Sequence, residues 1–93
     1  MSRDLEKEVN ELRQDLETGF KIARPTEDFR ASMILATVQL RVLAELFKNS
    51  PDQKERRRLI NEYEKEKESI EKGIQMLSQQ AQRFGKIHAS PQN

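Results

Sequence analysis

The sequence predicts an all-α fold, either a three-helix bundle or a helical hairpin with a long C-terminal helix, packed in a coiled-coil-like way. Three observations carry this. Apolar residues recur in alternating steps of three and four along most of the chain, the spacing that lines one face of a helix. Glycine and proline number only 3 each, too few for the turns of a sheet protein, and Pro25 and Pro51 fall where the periodicity breaks. Charged residues make up 35% of the chain and hydrophobic ones 34%, a balance suited to helices with one wet face each.

The first helix is expected over about residues 3–23, where Leu5, Val9, Leu12, Leu16, Gly19 or Phe20, and Ala23 share a seam. Pro25 ends it, because a proline pushes the residue before it out of the α region. Thr26 then supplies a cap, and Glu27 with Asp28 place acids in the first turn of a second helix over about 27–48.

That second helix holds the most apolar passage of the chain, Phe29 to Phe47. Phe29, Met33, Leu40, Leu43 and Phe47 are the predicted core residues on one seam. A second stripe runs through Ala31, Leu35, Val38, Val42 and Leu46, and at about 100° per residue Val38 lies roughly 160° around the helix from Leu40. The helix is therefore expected to be covered on both sides. A membrane span is not expected, since Arg30, Arg41 and Glu45 fall inside the passage and each central charge costs about 2.5 to 3.5 kcal/mol on insertion.

The third helix is expected over about 51–85, with Ser50 as N-cap, Pro51 in the first turn and Gln53 closing a capping box. Gly85 is the expected stop, residues 87–93 a flexible tail, and residues 1–86 one helical domain. A helix that long, folded back on the second through a short turn, is expected to run past its neighbour from about Ile74 onward. Tyr63, Ile70, Ile74, Leu77 and Phe84 would then form a seam to be covered by the first helix, by another copy, or by a different protein's helix.

No catalytic, cofactor or metal site is expected. The chain has no cysteine, and its one histidine, His88, has no acid within a helical turn. Glu64, Glu68 and Glu71 share a face, but they alternate with Lys65, Lys67 and Lys72, the pattern of a solvated helix surface. The glycines stand too far apart to cradle a phosphate. Net charge is +1, so only a local patch offers phosphate contacts, namely Lys54, Arg56, Arg57 and Arg58 in "KERRRL". The N-terminal residues lack the apolar region of a cleaved export signal, which makes the cytoplasm the expected location.

These readings converge on a non-enzymatic helical interaction protein, a small adaptor or chaperone-like subunit. It would self-associate as a dimer or higher oligomer, bind a partner helix through its apolar seam, or do both. The alternative is a small nucleic-acid-associated regulatory protein that uses Arg56 to Arg58 on a dimer.

Overall fold

The computed structural model describes the backbone of residues 3–89 and the side chains of residues 3–83. Three helices, α1 (Leu5–Ala23), α2 (Glu27–Asn49) and α3 (Gln53–Ala89), pack each against both others. Together they form a flattened rod of 59 × 30 × 16 Å.

Local chemistry sets each boundary. The Asp4 carboxylate accepts the Lys7 N–H at 3.1 Å and starts α1. Arg24 closes α1 in the left-handed region, φ 50° and ψ 64°, and its N–H donates to the Phe20 carbonyl at 3.2 Å before Pro25 bars further helix. Thr26 caps α2 as expected, its hydroxyl accepting the Phe29 N–H at 3.3 Å.

The start of α3 differs from the sequence expectation. Asp52, not Ser50, is the cap: its carboxylate accepts the Lys54 N–H at 3.4 Å and its carbonyl accepts the Arg56 N–H at 2.9 Å. The reason is the proline between them, which holds Ser50 extended (φ −84°, ψ 125°) as the C-cap of α2, while Asp is as good a cap as Ser. The far end differs too, because α3 continues through Gly85 to Ala89. A lone glycine costs about 1 kcal/mol inside a helix and stops it only by taking a left-handed φ, which no described glycine does. Of the expected tail, residues 87–89 are thus helical and 90–93 lie outside the described residues.

The order is up-down-up. α2 runs antiparallel to its neighbours, so Arg41 reaches Asn10 on α1 and Arg56 of α3 reaches the carbonyl of Phe47. α1 and α3 run parallel, with Tyr63 against Leu5 near one end and Gly19 against Leu77 further along. The core consists of Leu5, Val9, Leu12, Leu16 and Ala23 of α1, Ala36, Leu40 and Ala44 of α2, and Tyr63, Ile70 and Leu77 of α3. Of the predicted core residues, Leu40 is fully buried, and Phe29, Met33, Leu43 and Phe47 are partly buried against the cluster. The one buried polar residue among those described, Thr37, donates its hydroxyl to the Ile34 carbonyl at 2.7 Å and so buries no unsatisfied group.

Candidate functional site

The expected seam on α3 is not a surface. Tyr63, Ile70 and Leu77 are 0 to 1% exposed, and Ile74 is half-buried against the same cluster. Phe84 lies outside the residues whose side chains are described. The correction has a geometric cause. Met33 on α2 still reaches Gly73, so α2 does not end short of Ile74, and α1 lies parallel to α3 and covers it as far as Leu77 through Gly19. Of the three covers considered from the sequence, the chain's own first helix is the one present.

Among the described residues, the aligned run of exposed large apolar side chains lies instead on α2, on the side away from the core. Leu35, Val38, Val42 and Leu46 are 51 to 58% exposed, Ile34 is 47% exposed beside them, and Ala31 extends the line toward the N-terminus. The expectation that α2 is covered on both sides therefore fails within one copy: α1 and α3 both pack on its inner face. From Ala31 to Leu46 the stripe is about 22 Å long at 1.5 Å rise per residue. Monomeric proteins seldom leave aligned large side chains of this kind uncovered.

On the flank toward α1 the stripe continues into a groove of about 280 Å³ between the two helices. Three arginines border it, each engaged locally. The Arg30 guanidinium sits 5.5 Å from the Phe20 ring centre, Arg41 donates to the Asn10 side-chain oxygen at 3.1 Å, and Arg13 pairs with Glu17 at 3.4 Å.

A polar cluster ties the start of α1 to the middle of α3. Glu8 is its hub: Arg3 donates to both its carboxylate oxygens, from Nε at 2.8 Å and Nη2 at 2.9 Å, and also reaches Glu64 through Nη1 at 2.6 Å. Lys67 Nζ lies 3.3 Å from Glu8 Oε1, and the Tyr63 hydroxyl donates to the same oxygen at 3.0 Å, with the Leu5 carbonyl a second acceptor at 3.3 Å. Hydrogen bonding from Arg3 holds the Glu8 carboxyl below the usual range, with Tyr63 and Lys67 adding to this against the opposing effect of burial. Burial and the Glu8 carboxylate push the Tyr63 phenol up. Both Glu8 oxygens, the Leu5 carbonyl and one Glu64 oxygen are engaged by donors of the same chain, so the cluster ties α1 to α3.

The predicted phosphate contacts divide. Arg56 is committed to the turn: it donates to the carbonyls of Phe47 at 2.7 Å and Ser50 at 3.1 Å, with its guanidinium 4.1 Å from the Phe47 ring centre. It thus satisfies carbonyls at the end of α2 that have no helical partner. Arg58 is held by Glu55 through two hydrogen bonds on the same helix. Lys54 and Arg57 are exposed, so the four do not form one convergent site. A groove of about 770 Å³ at this end of the rod is bordered by Arg3, Lys48 and Arg56, and Arg3 and Arg56 are already bound within the chain.

Among the described residues, no cluster of three or more His, Asp or Glu side chains is arranged to hold a metal ion, and no helix is long and apolar enough to cross a membrane. The sequence carries the signal for the α2 stripe, because its spacing is local, but none for the joining of Glu8 to its α3 partners Tyr63 and Lys67, which stand 55 and 59 positions away. Compared with known protein families, curated proteins and solved structures, the chain matches none.

Proposed function

We propose that this chain is a non-enzymatic helical interaction module whose docking surface is the outward face of α2. The observation that carries the reading is the line of half-exposed large side chains, Leu35, Val38, Val42 and Leu46, opposite a core that is already complete. An amphipathic helix laid along this face meets them at helical spacing. Each is about half-exposed, so its remaining burial contributes on the order of 1 kcal/mol, and four of them contribute about 4 kcal/mol before the partner's own side chains are counted. Doubled by the partner, that sum reaches the range needed to offset the loss of free motion on association. A small cytoplasmic adaptor or chaperone-like subunit fits this chemistry.

The test is the double substitution Leu35→Glu with Val42→Glu. Both positions lie away from the core, so the melting temperature is expected to stay within about 3 °C of the parent. Helices selected by the parent protein from a displayed library of amphipathic sequences are expected to lose binding to the variant, and self-association is expected to disappear with it. Association that survives both glutamates removes this reading.

A further inference from the structure

On the outer side of α2, Ala31, Leu35, Val38 and Val42 follow steps of four, three and four, the spacing of core positions in a two-stranded coiled coil. Asp28 bounds this run at one end and Glu45 at the other, leaving four apolar layers spread over about 16 Å. The geometry points to a second copy of this chain as the occupant, its α2 laid antiparallel on the stripe about a two-fold axis that passes between the levels of Ala36 and Thr37. The inference rests on the reading of this face as a docking surface and names what docks there.

An isologous contact requires a patch that matches itself when reversed. Reversed about that axis, Leu35 falls opposite Val38 of the second copy and Ala31 opposite its Val42, so all four side chains meet apolar ones. The same reversal brings Glu27 of each copy within two residues of the level of Lys48 of the other at both ends of the contact, and it also sets Asp28 opposite Glu45, an acid pairing that limits the affinity. The Lys48 side chain is 69% exposed and held only by a loose 3.7 Å pairing with Glu6, so it is able to turn toward the second copy. Alongside these pairs, the antiparallel order opposes the two helix dipoles, whereas a parallel pair stacks Glu27 and Asp28 level with their own equivalents. An anionic membrane surface is a poorer match, because Glu27, Asp28 and Glu45 at the ends of the stripe offset the flanking Arg30 and Arg41 and no aromatic residue lies in it. A contact made by one helix from each copy is at the small end of protein interfaces, which sets the expected dissociation constant at roughly 1 to 100 µM.

Sedimentation velocity of the full chain across that range is expected to show a monomer–dimer equilibrium. Val42→Glu is expected to weaken it at least about 100-fold, since each dimer then buries two carboxylates against apolar partners. Glu27→Lys and Lys48→Glu are each expected to weaken it about threefold to tenfold and, combined, to restore it. Because the chain has no cysteine, orientation is read by introduced ones. Under mild oxidation Ala31→Cys and Val42→Cys proteins are expected to crosslink only when mixed, and crosslinking of each variant with itself overturns the antiparallel arrangement. A chain that stays monomeric at several hundred micromolar overturns the dimer. Library helices that still bind and are lost on Val42→Glu would then leave the docking face standing, whereas no selected helix would end both readings.

Discussion

Glu8 and Tyr63 show how a single residue pair joins two helices distant in sequence, and their titration gives the stability of the chain a shape in pH. Because the Glu8 carboxyl is held below its ordinary value near 4.5, its contribution is complete above that pH and is lost as pH falls through the lower folded value. Tyr63 works in the other direction: above pH 10 the unfolded phenol ionises while the buried one resists, so stability falls as pH rises through that value. Glu8→Gln is expected to cost about 1 to 2 kcal/mol at neutral pH and to flatten the acid limb. Tyr63→Phe is expected to cost about 1 kcal/mol and to flatten the alkaline limb, both read from urea unfolding across pH. An acid limb unchanged in Glu8→Gln would mean that the Arg3 and Lys67 contacts contribute nothing in solution. Sequence reading placed Tyr63 on the seam of α3, where a lone aromatic packs inward, but the helix that covers it and its hydrogen-bond acceptors were invisible, being set by how α1 lies on α3. Arg56 illustrates the same limit: a basic run is read as a patch until the turn folds back and takes one arginine for its carbonyls.

At the scale of the element, boundaries follow short-range rules, and close helix approach follows the small residues. Thr26 as a cap and Pro25 as a stop were legible because every atom involved lies within four residues. Ser50 and Asp52 competed for one role, and the extended conformation forced before Pro51 decided between them. Two glycines permit contact between helices, with different tolerances. A methyl at Gly19 would stand 2.9 Å from Leu77 Cδ1 and 3.1 Å from its Cβ, in a side chain 1% exposed and unable to retreat. At Gly73 the obstacle is the thioether end of Met33, which turns aside readily. Gly19→Ala is therefore expected to destabilise by about 1 to 3 kcal/mol despite its better helix propensity, and Gly73→Ala to change stability by less than about 1 kcal/mol. Thermal melts of the two variants compare them directly, and equal losses would contradict the packing described.

For the whole molecule, the decisive arrangement is α1 lying parallel to α3 and closing the seam that α2 alone leaves open. Removing residues 1–25 is expected to uncover Tyr63, Ile70 and Leu77, abolish the cooperative melt and drive the remaining hairpin into association. Circular dichroism and sedimentation report both effects, and a monomeric fragment that melts cooperatively would show α1 to be dispensable. With α1 in place, the aligned apolar surface left over among the described residues is the outer face of α2, and so the proposed docking face lies on the most apolar helix and not on the longest one.

The amino-acid sequence by itself determined the class, the number of helices, the positions of the two breaks and which residues share an apolar face, because all of these depend on interactions within one or two helical turns. Periodicity states that a face must be covered and is silent on what covers it. Only the tertiary structure decided that, because burial depends on how three rods of unequal length are set beside one another. It assigned the α3 seam to the chain's own first helix, drew Arg56 into the turn, gathered Arg3, Glu8, Tyr63 and Lys67 across some 60 positions of sequence, and left Leu35, Val38, Val42 and Leu46 facing outward.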